Sequence, residues 1–239
     1  MCYNQRVTFI NQSLYPGEFA LHQKYSQSEM LLNLVWTHCN IVADICLGII
    51  DSGMIANLTE VPRDITIQAC LLHDIGVYAC GGFEFLPDQP PSDKPYVQHT
   101  VVGAWILQQE GYLPEVIQAA YVHTGVGLTA KDIEKYKLQL PADDYVPQTT
   151  LQRLITYASK FHSKAPKFRT IEEISQSLER YGNDKLHIFE KMQEEFGIPD
   201  LTPIISKYNE WHLSFNYQLN QMSQKAGVGV SLSASGVST

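Results

Sequence analysis

The chain has 239 residues, a formal charge of −8 at pH 7 and 44% hydrophobic residues. That length supports a core without disulfide staples, and the acidic balance argues against general nucleic-acid binding. "IVADICLGII" is too short to cross a membrane and holds Asp44, and "MCYNQRVTF" lacks the basic-then-apolar order of a secretory signal, so a cytoplasmic protein without a membrane partner is expected.

Apolar spacing is helical nearly throughout, with no alternating strand of useful length. It predicts helices over 28–52, 64–74, 96–110, 113–124, 129–137, 148–163, 170–180, 182–196 and 200–224. Thr170 followed by Glu173 has the form of a capping box and places a helix start there. Turn formers fill "CGGFEFLPDQPPSDKP" (80–95) and "LPADDYVP" (140–147). The small, polar tail 227–239 is expected to be disordered. The expected architecture is all-α: a single domain over 1–226, with a motif-bearing core at about 28–165 and a helical extension at about 170–226. The five cysteines (Cys2, Cys39, Cys46, Cys70, Cys80) are odd in number and show no C-x-x-C spacing. That fits buried reduced thiols better than disulfides or a cysteine-bound zinc.

Four of the eight histidines share a pattern. His38 lies on the stripe Leu31, Leu34, Val35, His38, Ile41, Val42, Ile45. His73 follows Ile65, Ala69 and Leu72 on one face. His99 heads the face Val102, Gly103, Ile106, Leu107, and His123 closes the face Val116, Ala119, Ala120. Each therefore points toward the core from a different helix. One histidine on an apolar face is more often a satisfied core residue than a ligand. Four of them, with Asp74 adjoining His73 in "CLLHDIG" (70–76), would need four separate hydrogen-bond solutions if buried independently. One metal centre satisfies them together, and imidazole with carboxylate suits iron, manganese, nickel or zinc. His22, His187 and His212 carry no such pattern and read as surface or ordinary core residues.

The order His38, His73-Asp74, His99, His123 resembles the HD-domain superfamily of metal-dependent phosphohydrolases, and "HDIG" (73–76) resembles the variant that names one branch. The stretches "HTVVGAWILQQEGYLPEVIQAAYVHTGVGLT" and "LPADDYVPQTTLQRLITYASK" are similar to that branch in detail. The resemblance covers about residues 28–165 and implies an all-α HD-type helical bundle. It implies His38, His73 and Asp74 around one metal, with Asp74 bridging toward His99 and His123 around a second. One or two divalent transition ions are implied, with magnesium as a further candidate. The family's closing Asp, in a sequence like "ADK", falls on "YASKF", where Ser159 stands. Ser159 continues the stripe Leu151, Leu154, Ile155, Ala158 and is expected to face the site. His162, one turn on, is an alternative donor.

The implied activity is hydrolysis of a small phosphate ester or nucleotide, with metal-activated water as the nucleophile and Asp74 as bridging ligand. Neither a G-x-x-x-x-G-K-[ST] loop nor a G-x-S-x-G elbow is present. "SKFHSKAPKFR" (159–169) supplies Lys160, Lys164 and Lys167 as candidate phosphate-binding cations, although cations also favour helix C-termini for their own sake. Arg63 and Lys94 are weaker candidates. Phe83, Phe85 and Tyr96 would either stack on a base or simply pin their loop. Two other readings stand beside this one: a di-iron oxygenase on a similar ligand set, and a catalytically degenerate protein that binds or senses a ligand.

Overall fold

Among the described residues, ten α-helices follow one another, with a hairpin of two two-residue strands between α7 and α8. They are α1 (Pro16–Tyr25), α2 (Glu29–Asp51), α3 (Arg63–Leu72), α4 (His99–Gln109), α5 (Pro114–Val122), α6 (Ala130–Tyr136), α7 (Thr150–Ala158), α8 (Ile171–Glu179), α9 (Asn183–Phe196) and α10 (Thr202–Lys225). The structure is a computed structural model and describes residues 11–55 and 57–225. Cys2 and the tail 227–239 lie outside the described residues. Cys39, Cys46, Cys70 and Cys80 are free and buried.

Local chemistry sets the helix boundaries. Ser28 caps α2 by accepting from the Leu31 amide. Thr129, Thr149 and Thr170 each close a capping box, with Asp132, Gln152 and Glu173 as partners. Pro114 opens α5, where its missing N–H costs nothing. α1 is absent from the sequence-derived set, and only Phe19, Leu21 and His22 of this short helix are buried, so it carries little apolar pattern.

α2 runs through the middle of the bundle, with Leu34, Val35, Ile41, Val42 and Ile45 fully enclosed. Over its most apolar window it is long and hydrophobic enough to cross a membrane by length and composition, but 89% of that window is buried inside the protein. The expectation of no such run rests on "IVADICLGII", which is short and contains Asp44, whereas the apolar window extends over the helix Glu29–Asp51. α3 and α7 pack on α2, and α4 and α5 pack on each other beyond α3. The extension is tied to the same central helix. Trp211 of α10 donates to Asn33 at 2.9 Å, and Tyr208 donates to Asp44 at 2.8 Å.

Candidate metal centre

Asp74 follows His73, the C-cap of α3, and adopts φ −105°, ψ 13°, the sparsely populated bridge region. Its carbonyl accepts from Val77 at 2.9 Å, starting the short 3₁₀ turn Ile75–Ala79. This turn crosses the start of α4 at very close range. A Cβ on Gly76 would stand 2.0 Å from the His99 carbonyl oxygen and 2.4 Å from the Gly103 nitrogen. Only glycine fits, and the crossing is what sets His99 beside Asp74.

The carboxylate is completely buried and lies between two pairs of imidazoles. On one side, Oδ2 is 3.2 Å from His38 Nε2 and 3.2 Å from His73 Nε2. On the other, Oδ1 is 3.5 Å from His99 Nε2 and 3.3 Å from His123 Nε2. The ligand atoms of His38, His73 and Asp74 lie within 4.8 Å of one another, as do those of Asp74, His99 and His123.

Three of the four rings are aimed by the same device. His73 Nδ1 faces the Cys70 carbonyl at 2.7 Å, His99 Nδ1 the Tyr96 carbonyl at 2.6 Å, and His123 Nδ1 the Ala120 carbonyl at 2.9 Å. A carbonyl only accepts, so each Nδ1 carries the proton and each Nε2 of a neutral ring presents a lone pair. For His38, His99 and His123, burial disfavours the charged form: it pushes His38 down to about 3 and His123 to about 4, and His99 well below the ordinary range. Burial alone would raise Asp74. The Lys164 ammonium and the surrounding imidazoles reverse this and hold its carboxyl well below the usual carboxylate range.

Lone pairs are thereby directed at lone pairs. His99 Nε2 and His123 Nε2 face each other at 3.0 Å, and the buried His38 Nε2 and His73 Nε2 have no hydrogen-bond partner. Such an arrangement is costly unless a cation lies among the donors. Neutral imidazoles with Nδ1 anchored and an ionised carboxylate are the donor state that a divalent transition ion requires. The residues therefore fit a metal.

Lys164 enters the same centre. Its Nζ is 2.6 Å from Asp74 Oδ2 and 5.5 Å from the centroid of the Tyr96 ring. The approach is ionic, at an angle that leaves Oδ2 without a hydrogen-bond donor. Lys160 sits beside the centre, its Nζ 3.4 Å from the His123 carbonyl. Burial, with Lys164 and Arg169 nearby, pushes its pKa down to about 7. Lys167 is not brought in: it is about half exposed and turns to Glu173 at 2.7 Å. Arg63 likewise pairs with Asp51 at 2.6 Å.

Ser159 is buried, but its hydroxyl donates to the Thr156 carbonyl of its own helix at 2.9 Å. The group beside Oδ2 is the Lys164 ammonium. His162 is also not among the clustered donors: it stands behind His38, with the two Nδ1 atoms 2.9 Å apart. His212, read from the sequence as a surface or ordinary core residue, is half-buried, and its Nε2 meets His162 Nε2 at 3.1 Å. These pairings span 124 and 50 residues, and no short-range pattern marks them. Phe83 is fully buried against Phe85 and Tyr96, so these aromatics pin the 80–95 loop.

The HD domain family model matches residues 35–164. That is more than half of the chain, and the chain belongs to the HD domain family. It is 30% identical over 142 residues to a tRNA (cytidine(56)-2'-O)-methyltransferase of Thermoplasma volcanium, covering 59% of this chain and 34% of that protein. It is 27% identical over 125 residues to the Picrophilus torridus protein of the same name, covering 52% and 31%. The chain thus spans about a third of the length of these two relatives. An uncharacterized protein of Methanocaldococcus jannaschii is 30% identical over 125 residues, 51% of this chain and 62% of that one. Among solved structures, the HD domain of the L. monocytogenes phosphodiesterase PgpH aligns with a TM-score of 0.44 at 15% identity, covering 86% of this chain and 98% of that one.

Proposed function

We propose that the chain is a metal-dependent phosphohydrolase acting on a small phosphate ester or nucleotide, with His38, His73, Asp74, His99 and His123 holding one or two divalent ions. The observation that carries this is the set of buried Nε2 lone pairs directed around one ionised carboxylate. A bound ion supplies charge neutralisation on a phosphate oxygen and a water acidic enough to lose its proton near neutrality. His73, His99 and His123 keep their Nε2 lone pairs free by directing the single ring N–H, on Nδ1, to backbone carbonyls. Asp74 holds the two halves of the site together and remains ionised. Lys160 and Lys164 supply positive charge beside it, where a substrate phosphate is to be oriented.

The Lys164 ammonium lies against the same Asp74 oxygen that faces His38 and His73, so an ion held on that side competes with it for Oδ2. Elemental analysis of protein purified without chelator, followed by a phosphomonoester and nucleotide panel with manganese, iron, nickel, zinc or magnesium added back, tests the proposal. Metal content below about 0.1 equivalent with no uptake on incubation would sink it. Uptake without turnover on any substrate would leave a ligand-binding HD protein, and oxygen consumption by an iron-loaded form would point to oxygenase chemistry instead.

A further inference from the structure

His38 differs from the other three imidazoles of the centre. They sit at helix ends, where the carbonyl three residues back is open to Nδ1. His38 lies in the middle of α2, where backbone carbonyls are committed to the helix. Its Nδ1 must be answered from elsewhere, and the only group placed to do so among the described residues is His162, Nδ1 to Nδ1 at 2.9 Å. Two like nitrogens leave open which one donates.

The answer comes from further along the chain. His162 Nε2 faces His212 Nε2 at 3.1 Å, and His212 Nδ1 faces the Tyr208 carbonyl of α10 at 2.9 Å. That carbonyl accepts only, so His212 Nδ1 carries the proton. A neutral ring has one N–H, so His212 Nε2 is a lone pair. His162 Nε2 must then donate, which makes His162 Nδ1 a lone pair. His38 Nδ1 donates to it, and His38 Nε2 is left bare, 3.2 Å from Asp74 Oδ2. The ring planes are held from the side. Phe168, paired with His162 across the hairpin, lies 5.2 Å from the His162 ring and 5.3 Å from that of His212.

We propose that His162 and His212 are positioning residues that fix the tautomer of His38, so that a carbonyl on α10 decides which His38 nitrogen is offered to the centre. The tautomer order stands on geometry alone; its consequence for metal rests on the reading proposed above. His212 lies outside the matched family segment 35–164, so the helical extension completes a ligand of the core.

The test uses the full chain. Nitrogen-15 NMR of the metal-free protein should find His38 protonated at Nδ1, His162 at Nε2 and His212 at Nδ1; any other order overturns the proposal. His162→Leu should release His38 to the Nε2–H tautomer and weaken manganese binding, measured by calorimetry, by about 10- to 100-fold. His162→Asn, whose amide oxygen accepts where Nδ1 did, should restore affinity to within about threefold of wild type. His212→Leu, at a half-buried position, should shift the His38 tautomer without touching a residue of the centre. Unchanged manganese affinity and an unchanged His38 tautomer in both leucine variants would overturn the proposal. If wild type takes up no manganese, the metal reading fails separately, and the tautomer order still decides this one.

Discussion

His22 shows what a satisfied core histidine looks like beside the centre. Its Nε2 donates to the Leu71 carbonyl at 2.7 Å, and its Nδ1 accepts from the Tyr78 hydroxyl at 2.7 Å. Both nitrogens are answered with the ring neutral, which is the solution that His73, His99 and His123 lack. Burial lowers the His22 pKa to about 4. Below about pH 6.5 the unfolded chain takes a proton that the folded ring refuses, so stability should fall from pH 6.5 toward 4 and level off below that. The contribution of this residue is roughly 3 kcal/mol. A His22 resonance that titrates near 6.5 in the folded protein would refute this. Asp74 poses the opposite problem, since it has more partners than one carboxylate usually meets. Asp74→Ala should abolish metal uptake and strand Lys164 as a nearly buried, unpaired ammonium, lowering stability by about 3 kcal/mol or more. Adding Lys164→Met should recover most of that loss in denaturant melts but none of the metal binding.

Two elements decide where the donors stand. The crossing of the Ile75–Ala79 turn over α4 depends on backbone contact between Gly76 and Gly103, so Gly76→Ala must force the two apart. The expected cost is about 1–3 kcal/mol, with metal affinity falling because His99 moves away from Asp74. A fold and affinity equal to wild type would show that the turn has slack. The second element is the end of α7. The sequence pattern predicts helix to residue 163, but α7 stops at Ala158 and a 3₁₀ turn leads into the hairpin His162–Ser163 and Lys167–Phe168. Pro166 disfavours helical backbone at Ala165, and the Ser163 hydroxyl accepts from the Ala165 amide at 3.0 Å. The change of direction sends Lys164 inward while Lys167, opposite Ser163 in the hairpin, faces Glu173. On the proposed hydrolase, Lys160→Ala and Lys164→Ala should each lower kcat/KM by about tenfold or more, as loss of a charged phosphate contact does. Lys167→Ala should leave it unchanged. A drop in the last variant equal to that in the first two would contradict the placement.

At the scale of the whole molecule, α2 is both the centre of the core and the carrier of His38, and the extension makes that tolerable. Asn33 and Asp44 on α2 find their partners in Trp211, Tyr208 and Lys207 of α10. α9 is bound to α7 by Arg153 with Glu195 at 2.6 Å, and the loop after it by the Tyr157 hydroxyl on the Gly197 carbonyl at 2.8 Å. Trp211→Phe keeps the apolar ring but leaves Asn33 without that donor. It should cost about 1–3 kcal/mol in thermal or urea unfolding; a variant as stable as wild type would mean that water replaces the indole N–H.

The sequence by itself determined the all-α class, nine of the ten described helices and the convergence of His38, His73, Asp74, His99 and His123. Helical periodicity is a local property, and a histidine on an apolar stripe can face only the core. It also determined the capping box at Thr170, because that motif closes within four residues. What only the tertiary structure decided are the contacts between distant segments. Lys164 lies against Asp74 across 90 residues, and His212 reaches His38 through His162 across 174. No periodicity encodes such distances. They are settled when α10 docks on α2 and when the chain reverses at Pro166, because packing, and not local pattern, chooses which polar atoms meet.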